Sequence, residues 1–212
     1  EWLSSLCVCK GLDQTHSPYR RGPRLFYLQL DSLSHFISTR SNHTMSIKVA
    51  VIGAGSIGFT RRLMKDILTV PELQDTEFAF HDINKRNLDM IAQLARRDIE
   101  ANGVAAKLTT SVDRRRALDG AHYILNTTRI GGLDAFQTDI DIPLKYGVDQ
   151  CVGDTLCAGG IMYGQRNIPQ ILAFCKDIRE VGATDALFLN YANPMAMNTW
   201  AALEYGGVTT LG

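Results

Sequence analysis

Residues 47–58 constrain this chain more than any other stretch. Ile47-Lys-Val-Ala-Val-Ile52 is a short, β-branched apolar run, as a strand buried within a parallel sheet requires. It leads directly into Gly53-Ala-Gly55-Ser-Ile-Gly58. A helical pattern follows, with Leu63, Ile67 and Leu68 on one side and Arg61, Arg62 and Lys65 on another. A strand that turns through three spaced glycines into a helix opens a dinucleotide-binding unit. Each glycine has its own expected task. Gly53 permits the turn, Gly55 lets a pyrophosphate approach the backbone, and Gly58 lets the helix pack closely on the sheet. Ser56 and Ile57 complete the turn, where unpaired N–H groups and the positive helix end favour phosphate.

The rest of the chain repeats this grammar. Glu77-Phe-Ala-Phe-His-Asp82 reads as a second strand. Asp82, roughly 20 residues beyond the turn, stands where a carboxylate receives ribose hydroxyls, which favours NAD over its 2′-phosphorylated form. Asn84 is a good N-cap for a helix ending near Gly103. Strands are expected at 107–111, 121–126, 185–190 and 208–211, with helices at 113–118, 165–181 and 194–204. Residues 129–160, rich in Gly and Asp, read as irregular. Strands alternating with helices define an α/β fold, a Rossmann-like doubly wound parallel sheet.

Charge and cysteine content exclude several classes. Lys+Arg and Asp+Glu both number 22, which argues against a nucleic-acid binder. No apolar run approaches the ~20 residues of a membrane span. The five cysteines are scattered and odd in number, which points away from a disulfide framework and toward the cytoplasm.

Residues 1–44 are unlike the rest. They precede the first methionine, Met45, and hold three of the five histidines with Cys7 and Cys9. They are expected to be a non-native or poorly ordered leader; a transit peptide or regulatory arm is the alternative. Residues 45–212 form the expected nucleotide-binding domain.

The loops after the fourth and fifth strands carry the remaining chemistry. Asn126 ends the fourth strand and Thr127 follows it, beside the crevice where dinucleotides bind in such sheets. They are expected to help hold the cofactor, and Arg129-Ile-Gly-Gly132 to face its nicotinamide half. Val152-Gly-Asp154-Thr-Leu-Cys-Ala-Gly-Gly160 is a second glycine-rich turn. Asn193, before Pro194, either aims its amide at substrate hydroxyls or caps the helix that follows.

From Met45 onward the chain resembles the family-4 glycoside hydrolases, the NAD- and manganese-dependent α-glycosidases. The resemblance rests on Gly53–Gly58, Arg129–Gly132, Ile142–Gly147, Gly153-Asp-Thr155 with Gly159-Gly160, Arg166-Asn-Ile-Pro169 and the long run Leu189–Ala201. That last run is most similar to the α-galactosidase branch and its α-glucosidase neighbours. In this family glycoside hydrolysis departs from the usual pair of carboxylates.

The resemblance implies a redox route to hydrolysis. NAD⁺ takes hydride from sugar C3, the ketone acidifies the C2 proton, and a base removes it. The metal stabilises the enediolate, the C1–O bond is eliminated, water adds, and the hydride returns. By position Asn193 matches the family's substrate asparagine, and Arg129 and Asp154 fall in loops lining the same cleft. Cys157-Ala158 stands where the family usually has Gly-Pro, so Cys157 is read as a loop variant and not a metal ligand. The family's Cys-His metal segment, its second metal histidine and its tyrosine base are expected beyond Gly212, with the C-terminal α+β domain. No catalytic or metal residue is therefore expected within these 212 residues.

The implied partner is a small α-glycoside, and the implied assembly a dimer or tetramer. Two other readings share the fold. One is a dehydrogenase of the lactate/malate type, the other a non-catalytic nucleotide-binding module.

Overall fold

A computed structural model describes residues 46–150 and 152–212. The reading of residues 1–44 lies outside them. Six strands form one sheet: β1 (Lys48–Ile52), β2 (Glu77–His81), β3 (Lys107–Ser111), β4 (Tyr123–Asn126), β5 (Leu187–Asn190) and β6 (Thr209–Leu211). Their order is β3-β2-β1-β4-β5-β6, and every pairing is parallel. This is the doubly wound Rossmann-like arrangement. Strand order reverses between β1 and β4, and that point is the crevice where ligands bind in such sheets.

The two faces of β1 feed two cores, because successive side chains point to opposite sides. Val49 and Val51 join Phe78, Phe80 and Leu125 under α1 (Ile57–Leu68) and α2 (Lys85–Asn102). Ala50 and Ile52 join Ile124 and Phe188 on the other face. There α3 (Arg114–Leu118) and α5 (Cys157–Val181) supply Leu118, Ile171, Phe174 and Ile178. The helix boundaries follow the capping chemistry. Asn84 accepts the Asn87 N–H at 3.1 Å, and Gly103 closes α2 in the left-handed region at φ +62°.

The stretch 129–160 differs from its expectation. It contains α4 (Gly132–Leu144), with Asp134 in the first turn and Pro143 near the end. Gly131, at φ +86°, is the N-cap that turns the chain into it. Gly131, in a stretch read as irregular for its Gly and Asp content, here starts a helix.

Helix α5 likewise begins at Cys157, not at Gln165. Gly159 and Gly160 lie inside it because neighbouring backbone leaves no room for a side chain. A Cβ at Gly159 would sit 2.7 Å from the Gly153 carbonyl oxygen, and one at Gly160 would strike Thr155. Close packing, not turn formation, requires these glycines. At the far edge α6 (Met195–Ala201) runs into a π-helical turn (Ala202–Gly206) before β6.

Candidate functional site

The glycine turn after β1 is stitched to the end of β2. The N–H groups of Gly53 and Ala54 both donate to the His81 carbonyl at 2.9 Å. Gly53 sits at φ +85°, and a Cβ there would lie 2.9 Å from the Thr128 nitrogen. Both facts demand glycine. At Gly55 the crowding comes from Asp82, whose carboxylate oxygen would be 2.6 Å from an added Cβ. That oxygen accepts the Gly55 N–H at 2.8 Å, and the other accepts the Asn84 N–H at 2.8 Å. The acid expected to receive ribose hydroxyls is thus oriented by backbone, with lone pairs to spare.

Gly58 departs from its expected task. A Cβ there would meet nothing within 4 Å, so close helix–sheet packing does not explain it. Helix α1 starts at Ile57, which places Gly58 in an exposed first turn. That turn holds no acidic residue, and the Ser56 side chain makes no capping hydrogen bond. The first amides of α1 therefore lack both an internal partner and a competing anion. A glycine cradle, an uncapped helix end and a carboxylate at the end of β2 fit a dinucleotide.

His81 precedes Asp82 and is buried. Burial pulls its imidazole below the ordinary value, and nearby Arg114 adds to this; its contact with the Ser111 carbonyl oxygen (3.1 Å) opposes it.

Asn126 is fully buried, and its amide is turned inward. Its Nδ2 donates to Asn190 Oδ1 at 2.9 Å, and its Oδ1 accepts from the Thr128 hydroxyl at 2.8 Å. Thr127 likewise turns its hydroxyl onto the Gly53 carbonyl at 3.0 Å. Both residues shape the loop, and their side-chain polar groups are engaged within the protein.

Arg129, Asp154 and Asn193 come together, although they lie in three separate loops. Asn193 Nδ2 donates to Asp154 Oδ2 at 3.1 Å, and Arg129 Nη2 lies 3.6 Å from the same oxygen. Helix α6 is capped at Pro194 without a side-chain bond, so the capping alternative for Asn193 does not hold. The Arg129 guanidinium rests 4.7 Å from the Phe136 ring centre and 5.6 Å from that of Tyr163. Among the described residues its N–H groups make no hydrogen bond, so a fork of donors is held in place and free for a ligand.

The sequence did not point to the side chains beneath this cluster. Asp139 of α4 accepts from Arg166 of α5 at 2.6 Å, and Arg166 lies 5.8 Å from the Tyr163 ring centre. Gln150 joins the Asp139 carbonyl (3.2 Å) to the Gly159 N–H (2.9 Å). Asn167 donates to the Asn193 carbonyl at 2.6 Å. Burial pushes the Tyr163 phenol up, against the pull of Asn167 and Arg129. Only the Arg166-Asn-Ile-Pro169 motif carried any sign of this layer. Among the described residues no group of three or more His, Cys, Asp and Glu side chains could hold a metal ion.

Fold and site together define a dinucleotide-binding α/β domain with a polar cluster at its crevice. The family description "Family 4 glycosyl hydrolase" matches residues 48–212, and the chain belongs to that family. It is 65% identical over 167 residues to an alpha-galactosidase of Rhizobium meliloti, covering 79% of this chain and 34% of the relative. The chain thus spans about a third of that relative's length. A 6-phospho-beta glucosidase from Thermotoga maritima, solved with manganese, NAD⁺ and glucose-6-phosphate, superimposes with a TM-score of 0.67 at 28% identity. It covers 75% of this chain and 37% of its own. A lactate dehydrogenase from Cryptosporidium parvum matches with a TM-score of 0.53 at 16% identity, covering 78% of this chain and 43% of its own; that likeness shows the fold alone.

Proposed function

We propose that this chain is the NAD-binding part of an α-glycosidase of the α-galactosidase type. The observation that carries the reading is the Gly53–Gly58 turn with Asp82 oriented against it, beside a cluster rich in hydroxyl partners. The backbone of Gly53, Gly55, Ser56, Ile57 and Gly58 would hold the pyrophosphate, and Asp82 the ribose. Asp82 would repel a 2′-phosphate, so the cofactor is NAD. When bound, its nicotinamide supplies a reversible hydride acceptor. Thr127 and Asn126 shape the loop beneath it.

Arg129, Asp154 and Asn193 would bind the sugar. Arg129 donates to hydroxyl oxygens, Asp154 accepts from hydroxyls, and Asn193 can do both. Together they fix the ring's orientation against the cofactor, which accelerates a reaction by positioning. Among the described residues no three His, Cys, Asp or Glu side chains converge on a manganese site, so their part is to bind and orient cofactor and sugar. The high identity to an alpha-galactosidase supports an α-galactoside as substrate. A dimer or tetramer in the cytoplasm is the accompanying expectation. Among the described residues no helix is long and apolar enough to cross a membrane.

Two measurements test the reading. This 212-residue chain should quench or shift NADH fluorescence on titration and should not hydrolyse aryl α-galactosides. Manganese-dependent hydrolysis by this chain would overturn the division of labour. In the longer enzyme, α-galactoside turnover should leave no net NADH; stoichiometric NADH would establish the dehydrogenase reading instead.

A further inference from the structure

Two asparagines at the ends of β4 and β5 stand opposite each other in register. Asn126 is fully buried and Asn190 is 3% exposed. Both side chains are buried, yet most of their hydrogen-bonding capacity is used. Asn126 Nδ2 donates to Asn190 Oδ1 at 2.9 Å, and Asn190 Oδ1 also accepts the Ala192 N–H at 3.2 Å. Asn190 Nδ2 donates to the Ala192 carbonyl at 3.2 Å and to the Thr199 hydroxyl at 3.3 Å. On the other side Asn126 Oδ1 takes the Thr128 hydroxyl at 2.8 Å and the Thr128 N–H at 3.3 Å. Thr127 continues the line to the glycine turn, with its N–H on the Ile52 carbonyl at 2.9 Å and its hydroxyl on the Gly53 carbonyl at 3.0 Å.

A continuous polar bridge therefore crosses the carboxyl ends of three adjacent strands. It begins at the dinucleotide turn after β1 and ends in the loop that carries Asn193. We propose that Asn126 and Asn190 are positioning residues that lock the cofactor loop and the sugar loop into one rigid unit. A hydrophobic pair would fill the same space at lower desolvation cost, but it could not fix either loop's direction. Fully satisfied buried polar networks are specific and stiff for that reason. Cutting the bridge at Asn190 leaves the Asn126 Nδ2 donor buried without a partner, and the amide is held only on its Thr128 side.

The inference rests on the proposed dinucleotide reading, so its test includes a measurement independent of NADH. Asn190→Leu in the 212-residue chain should speed amide hydrogen exchange at Thr128, on the neighbouring strand's loop, by about tenfold. It should also weaken NADH binding by about tenfold. Asn190→Asp, kept protonated by burial, retains an acceptor for Asn126 Nδ2 and a donor for the Ala192 carbonyl, and should hold NADH affinity within about threefold of the parent chain. Phe188→Leu, a core truncation on the same strand, should lower stability while leaving both readouts unchanged.

If Asn190→Leu matches the parent chain in NADH affinity, the positioning role is overturned. If the parent chain itself does not bind NADH, the dinucleotide reading fails. The Thr128 exchange rate then decides the bridge alone: faster exchange upholds it, and unchanged exchange overturns it.

Discussion

The two halves of the sheet's carboxyl edge are built from different materials. On the β1–β3 side the proposed cofactor site is mostly backbone: a turn at positive φ and the first amides of a helix, with one carboxylate held by two N–H groups. On the β4–β6 side the cluster is side chains on side chains, with Arg129 against the Phe136 and Tyr163 rings and Arg166, paired with Asp139, against Tyr163 as well. A backbone cradle tolerates many sequences but fails if its glycine is lost. A side-chain cluster adapts its chemistry readily but depends on several buried partners at once.

This contrast can be broken by substitution. Gly53→Val should have the largest effect, because it combines a disfavoured φ with a backbone clash at Thr128. Loss of NADH binding and about 3 kcal/mol of stability are expected in a titration and a urea melt. A folded, NADH-binding Gly53→Val would show that the cradle does not depend on glycine at this position. Asp139→Ala strands Arg166 beside Tyr163 and should cost about 3 kcal/mol of stability. Its effect on NADH affinity should be small, since neither Asp139 nor Arg166 is part of the Asn126–Asn190 bridge to the dinucleotide turn.

Asp82→Ala should do the reverse. NADH binding should weaken by about 1–2 kcal/mol, the scale of one or two charge-assisted hydrogen bonds, and calorimetric affinity decides it. An unchanged affinity would take Asp82 out of the site. The smallest effect concerns pH. Burial holds His81 neutral with its value below 6.5, so the unfolded chain takes up the proton first as pH falls. Stability is then complete above about pH 6.5 and declines as pH falls through the folded-state value. His81→Gln should flatten that part of the urea-midpoint profile.

The same contrast explains what could be read in advance. The β1–β3 side was legible because its chemistry is local. Strand, spaced glycines, helix and Asp82 follow each other closely, and their spacing carries the geometry. The meeting of Arg129, Asp154 and Asn193 was only inferred from neighbouring loops, and nothing local shows that Tyr163 and Phe136 would bracket Arg129. Asn126 illustrates the limit. Its place at the end of β4 was evident, but whether its amide faces a ligand or Asn190 depends on a strand more than sixty residues away. Gly159 and Gly160 failed for a related reason. Glycine signals a turn when it needs positive φ, and a helix contact when a neighbour needs the space; sequence alone does not distinguish them.

The central position of β1 also governs when this fold can assemble. Its neighbour β4 lies far along the chain: the Lys48 amide and its His122 partner are separated by 74 positions. At roughly 5–20 residues per second, a ribosome would deliver that partner about 4–15 s after β1 itself. During that interval Val49, Ala50, Val51 and Ile52, all buried in the finished sheet, wait with one edge unpaired. Of the described strands, the one that carries the dinucleotide turn is thus made first and completed late. Between the synthesis of β2 and β4 that open edge is exposed to chaperones and to misassociation.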